Sequence, residues 1–145
     1  MIPRFEPDGN LPKGVHQATL GELRARFGVG SARRKWLMKR LEEIVELVKS
    51  TGRLERVVVW GSFVTSKSFP GDVDLLLVMD RDFTVDGLDP ETATVFDYTQ
   101  ARIAFDSDIF WAKSSIGEET LSLWLETYQQ TRDFKPCGIV EVTIE

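Results

Sequence analysis

Two aspartates, Asp72 and Asp74, stand at alternate positions at the mouth of the apolar run Val73 to Met79, which reads VDLLLVM. Residues two apart on a strand face the same side, with Cα atoms about 6.5 to 7 Å apart, so the two carboxylates converge on one small volume. Their charges repel. Such a pair persists where water, a cationic side chain or a metal ion compensates it, and hard oxygen ligands suit Mg²⁺ or Mn²⁺. Val73 between them faces the other way and can anchor the strand in a core. Gly61 and Ser62 close the preceding β-branched stretch RVVVW, and Thr65, Ser66 and Lys67 follow on the same connector. A glycine lets backbone approach a phosphate closely, and the amides of the next turn can donate to anionic oxygens. Two hydroxyls and an ammonium add to them, which makes a phosphate cradle opposite a metal-holding carboxylate pair. No G-x-x-x-x-G-K-[ST] run occurs, so a P-loop is excluded.

The elements that must position these residues follow from periodicity. Ser31 is a helix N-cap, and Leu37, Leu41, Ile44, Val45 and Val48 recur at helical spacing until Thr51-Gly52 stops the run. The spacing predicts an amphipathic helix, a buried strand over residues 56–60 and a second strand over VDLLLVM. The connector from Ser62 to Gly71 is tight for a parallel crossover, so the two strands are expected to be antiparallel neighbours with Gly61-Ser62 beside Asp72 and Asp74. Beyond the loop at residues 80–90, Pro90 opens a helix running to about Ala101. The segment ARIAFDSDIFWAK, residues 101–113, is a third strand by alternation and aromatic content. Leu121, Trp124, Leu125 and Tyr128 form another helical stripe, and CGIVEVTIE, residues 137–145, closes as a strand. The expected fold class is α/β (α+β), with helices packed on a mixed central sheet of about four strands.

Residues 1–30, rich in Pro, Gly and polar types, read as an N-terminal arm with a short helix around TLGELRARF, leaving 31–145 as the single folded domain. The length of 145 residues and 42% hydrophobic content suit one core. One cysteine, Cys137, and one histidine, His16, exclude an internal disulfide framework and speak against a Cys/His zinc site. No signal-like or membrane-spanning apolar run is present, and the expected location is cytoplasmic, with no membrane partner. A net charge of −5 argues against broad, non-specific DNA binding. A local basic face remains: Arg24, Arg26, Arg33, Arg34, Lys35, Lys39 and Arg40 stand without an acidic residue among them.

The Trp60-Gly61-Ser62 triplet, nine intervening residues, and Asp72-Val73-Asp74-Leu75 resemble the signature of nucleotidyltransferases of the DNA polymerase beta superfamily. More narrowly, LPKGVH and GSFVTSK make the chain similar to a family of small bacterial proteins carrying that fold. The resemblance implies the nucleotidyltransferase fold and a third carboxylate on a later strand. Asp108, directly before IFW, is favoured for it, with Asp106 the fallback. It implies catalytic and metal-binding roles for Asp72, Asp74 and Asp108 around Mg²⁺ (or Mn²⁺), and nucleotide-binding roles for Gly61, Ser62 and Lys67. The implied reaction is attack of an acceptor hydroxyl, on a protein or RNA, at the α-phosphate of a nucleoside triphosphate such as ATP. The setting it implies is a toxin–antitoxin or defence module with a protein partner. The alternative is a non-catalytic nucleotide- or partner-binding module, an antitoxin-like regulator on the same fold.

Other chemistry-bearing residues have blander readings. Asp80, Asp82, Asp86 and Asp89 lack calcium-loop spacing and read as a solvated loop. His16 reads as structural or exposed rather than catalytic, and Cys137 as a packed or turn residue. Trp36, Trp60, Trp111 and Trp124 read as core. Arg33, Arg34 and Lys35 open a helix whose dipole disfavours them. They read either as a site for a phosphate-bearing acceptor, the triphosphate tail or an acidic partner, or as a solvated face.

Overall fold

A computed structural model describes residues 1–144. The order is β1 (Gly14–Ala18), α1 (Leu20–Phe27), α2 (Ala32–Lys49), β2 (Leu54–Trp60), β3 (Val73–Met79), α3 (Pro90–Val95), α4 (Tyr98–Phe105), β4 (Ser107–Lys113), α5 (Glu118–Tyr128) and β5 (Gly138–Val142). The five strands form one mixed sheet in the order β1-β5-β2-β3-β4. β2 runs antiparallel to both β3 and β5, while β1 pairs parallel with β5 and β4 parallel with β3.

Period-2 alternation sorts the strands onto two layers. Val57, Val59, Val73, Leu75, Leu77 and Ile109 pack under α1 to α4 in the larger core, which takes in Leu23 and Phe27 of α1 and Leu37, Leu41, Ile44 and Val48 of α2. Val58, Leu76, Val78 and Ile139 face the other way, against Leu121 and Leu125 of α5. Asp74 shares its parity with Leu76 and Val78, so its side chain emerges on the α5 face, where that layer leaves the end of the sheet uncovered.

Several expectations hold. β2 and β3 are antiparallel neighbours, with Trp60 opposite Asp74. Ser31 caps α2, accepting from the Arg34 amide, and the arm contains the short helix α1, closed by a Thr19–Glu22 capping box.

Other expectations change. The sheet has five strands rather than about four, because Gly14–Ala18, read as irregular arm, docks as an edge strand on β5. Its five residues, GVHQA, are too short and too weakly β-forming to stand out from flanking Pro and Gly. The third predicted strand begins only at Ser107, because Ala101–Phe105 belongs to α4 and Asp106, with φ 51°, ends that helix in the left-handed region. The helix expected from Pro90 to about Ala101 is split in two, since Asp97 starts α4 by accepting from the Gln100 amide at 3.1 Å. The closing strand is shorter than expected and covers Gly138–Val142: Cys137, Thr143 and Ile144 are not part of it, and its reading at Glu145 lies outside the described residues. Of the tryptophans read as core, Trp36 is 40% exposed beneath the guanidinium groups of Arg33 and Arg40, whereas Trp60, Trp111 and Trp124 are half-buried and pack against the two cores. No helix among the described residues is long and apolar enough to cross a membrane.

Candidate metal centre and phosphate pocket

Asp74 lies beside Asp108 on the same rung of the parallel β3/β4 pair. Asp72 stands two residues before Asp74, so the three carboxylates meet at one end of two adjacent strands. One oxygen from each lies within 4.8 Å of the others. Asp106 is not among them. Its carboxylate turns away to pair with Arg33 at 2.7 Å, which leaves Asp108 as the third member of the cluster.

Gly61 directly follows β2, whose last residue Trp60 pairs with Asp74, and its φ of 81° disfavours any side chain. A Cβ at this position would collide with Asp74 Oδ2. Ser62 begins a short 3-10 turn, Ser62–Val64, directly after it. Gly61, Ser62, Thr65 and Lys67 line one cavity of about 820 Å³ with Asp72, Asp74 and Asp108. The residues read from the sequence as phosphate- and metal-facing border one space, except Ser66, which does not line it.

Compensation of the three charges is uneven. Arg102 on α4 donates to Asp108 and lies 3.6 Å from Asp72, and the Tyr98 hydroxyl donates to Asp108 at 3.0 Å. Burial alone would push Asp108 up, but these two donors outweigh it and hold its carboxyl below the ordinary value. Asp72 is raised by burial and by the neighbouring Asp108. Asp74 is pushed up to about 7, by burial first and then by Asp72 and Asp108. Among the described residues it has no ion-pair partner. Three carboxylates facing one arginine leave two negative charges uncompensated when all are ionised, and three such oxygen donors could hold a metal ion.

The connector is shaped from the other layer. Arg34, 6% exposed, donates to the carbonyls of Phe63 (2.7 Å), Thr65 (2.6 Å), Lys67 (2.6 and 3.0 Å) and Phe27 (3.1 Å). Arg33 holds the last part of the connector through the Pro70 carbonyl at 3.1 Å and the Gly71 carbonyl. Arg33 and Arg34 are thus turned onto the chain's own backbone, while Lys35 beside them is exposed, as the solvated-face option expected.

Tyr98, Arg102 and Arg34 were missed as site-building residues. Tyr98 and Arg102 sit four apart on α4, which places them on one helix face just ahead of Asp108; that spacing was a usable signal. His16 Nε2 donates to the Pro12 carbonyl, 2.7 Å away, in keeping with a structural role. In the 80–90 loop, Asp80 pairs with Arg53 at 2.9 Å and Asp89 caps α3.

Fold and site together define a mixed-sheet protein of helices and strands with a carboxylate centre at the ends of two adjacent parallel strands. The chain belongs to DUF6932, a family of unknown function, whose match spans residues 3–143. No curated protein and no solved structure matches it.

Proposed function

We propose that this protein is a metal-dependent nucleotidyltransferase, with the nucleotidyltransferase fold, that transfers a nucleoside monophosphate from a nucleoside triphosphate to a hydroxyl of a protein or RNA acceptor. The observation that carries this reading is the convergence of Asp72, Asp74 and Asp108 beside the Gly61-Ser62 turn. Asp72, Asp74 and Asp108 would hold Mg²⁺ or Mn²⁺, which when bound supplies positive charge to the attacking and leaving oxygens. Gly61 and Ser62 leave room for the triphosphate, and Lys67 adds a cation along it. The acceptor oxygen bonds to the α-phosphorus, the bond from that phosphorus to the bridging oxygen breaks, and pyrophosphate leaves. The acceptor's proton passes to the carboxylate cluster, for which Asp108 stands on the outermost strand. A toxin–antitoxin or defence pairing with a protein partner belongs to the same proposal.

One observation favours a second reading, a non-catalytic nucleotide- or partner-binding module. Arg102 already bridges Asp72 and Asp108, supplying part of the charge that a metal would bring. One experiment separates the two. The protein is incubated with each α-labelled nucleoside triphosphate, Mg²⁺ or Mn²⁺ and cell lysate, alongside Asp72→Ala and Asp74→Ala. Label transfer lost in both variants, by at least about a thousandfold, is the expected result. Absence of transfer by the parent protein with every nucleotide, with any co-purifying partner retained, leaves only the binding module. For that module, Mn²⁺ with triphosphate should still raise the melting temperature of the parent and not of Asp74→Ala.

A further inference from the structure

A second hollow of about 480 Å³ opens beside the carboxylate cavity, and Phe110 and Tyr128 line both. The two spaces therefore share a border formed by these rings, and they differ in chemistry. The first is bordered by three carboxylates and Lys67; the second has aromatic and aliphatic walls whose polar side-chain groups are Thr127, the tyrosine hydroxyls and the indole N–H groups of Trp111 and Trp124, none of them charged. Both volumes lie in the range of small-molecule sites. A molecule that fills the pair has a polyanionic end and a flat, uncharged ring at the other.

Phe110 is the residue at the junction. It follows Asp108 by two positions on β4, so it projects on the same face about 6.5 to 7 Å further along the strand. Despite its size it is 41% exposed. Its ring is flanked by Tyr98, with centroids 5.4 Å apart, and by Trp60, 5.9 Å away at a 28° interplanar angle. Trp60 in turn stacks on Tyr128 at 3.7 Å and 7°. These neighbours fix the orientation of Phe110 while leaving it open to the trough. Tyr98 also bonds Asp108, so one side chain ties the aromatic end to the carboxylate end.

We propose that the base of a nucleoside triphosphate stacks on Phe110 in this hollow while its phosphates lie among Gly61, Ser62 and the three aspartates. The inference rests on the nucleotide reading above and extends it to the ring-binding half of the site. Stacking on an aromatic face discriminates little between bases, so Phe110 supplies affinity for nucleotides as a class.

The test compares Mg²⁺ complexes of ATP, CTP and inorganic tripolyphosphate by calorimetric titration against the parent, Phe110→Ala and Phe110→Tyr. The exposed position makes both variants compatible with folding. Both nucleotides are expected to bind the parent about 5- to 100-fold tighter than tripolyphosphate. Phe110→Ala should lose that advantage with tripolyphosphate affinity unchanged, and Phe110→Tyr should keep it. A 2-aminopurine nucleoside triphosphate should be quenched by the parent and not by Phe110→Ala. Equal affinities for nucleotide and tripolyphosphate on the parent, or no effect of Phe110→Ala, overturn the inference and leave the phosphate site standing. Failure of all three ligands to bind the parent overturns both. Sedimentation velocity covers the other occupant: a parent dimer broken by Phe110→Ala assigns the hollow to a second copy of the chain and overturns the inference.

Discussion

Arg34 and Asp74 both carry charge inside the protein, on opposite layers of the same sheet end, and their surroundings treat them in opposite ways. All five N–H donors of the Arg34 guanidinium are engaged by backbone carbonyls, so the buried cation is saturated by the chain itself. Asp74 shares a small volume with two other carboxylates, and the nearby Arg102 serves Asp108 and Asp72 instead. A saturated buried charge has nothing left to offer a ligand and sets shape. An unsaturated one costs stability until something binds, which is how a binding site differs from a strut. The two are coupled through the connector, since Arg34 holds the turn whose first residues face Asp74.

The largest effect expected from this contrast is at Arg34. Arg34→Met removes five hydrogen bonds and leaves four buried or half-buried carbonyls without their donor. Removing one side of such an arrangement costs about 3–5 kcal/mol. For a chain of this size that lowers the melting temperature by about 10 °C or more. Arg34→Lys restores the charge but has only three donors at one point, so it should recover less than half. Urea denaturation of the two variants measures both numbers. A loss below about 1 kcal/mol for Arg34→Met would place Arg34 with the weak surface cations and remove the contrast.

Gly61 tests the contact between the two regions. Gly61→Ala puts a methyl group where Asp74 Oδ2 now lies and forces a non-glycine residue to φ 81°. The combined strain costs about 2 kcal/mol. Relief by displacing Asp74 would open the carboxylate cluster. The expected signature is therefore double: a moderate drop in melting temperature, and loss of the extra stabilisation that Mn²⁺ with triphosphate gives the parent. A variant that is destabilised yet still gains fully from Mn²⁺ and triphosphate would show that Asp74 does not need this close approach.

The contrast also explains what was legible in the sequence. Asp72, Asp74, Gly61 and Ser62 could be brought together because period-2 geometry and a short connector leave few arrangements, and β2 and β3 adopt the expected antiparallel pairing. Asp108 was harder to separate from Asp106, since both have the same parity; the choice is made by Asp106 ending α4 in a left-handed conformation, which strand periodicity cannot reveal. Arg34 was visible only as one of a basic run, because its role comes from five bonds to carbonyls, four of them 29 to 33 residues away. β1 escaped for a related reason: an edge strand of five residues owes its existence to the partner it docks on, not to its own pattern. Local periodicity thus located the ligand-facing groups, while the residues that hold them in place are fixed by tertiary contacts.

The smallest expected effect is the most specific to the unsaturated charge. The Asp74 carboxyl is pushed up to about 7 by burial and by Asp72 and Asp108, from an ordinary value of 3.8. Between those two values the folded protein keeps a proton that the unfolded chain has lost, so folding takes up a proton. The stabilising contribution is complete below about pH 4 and disappears as pH rises through 7. Metal-free parent protein should therefore lose melting temperature steadily from pH 5 to pH 8. Asp74→Asn carries no charge at any pH and should be more stable than the parent at pH 8 by about 1–2 kcal/mol, less than a fully buried acid would give because solvent reaches the site. Its slope should be shallower but not flat, since Asp72 is raised in the same direction and titrates too. Mn²⁺ at pH 8 should lift the parent towards or past the variant, because a bound cation stabilises the charged carboxylate that protonation otherwise removes. Parallel pH profiles for parent and Asp74→Asn would mean that Arg102 and solvent already balance the cluster, and the carboxylates would then join Arg34 as a self-satisfied part of the fold.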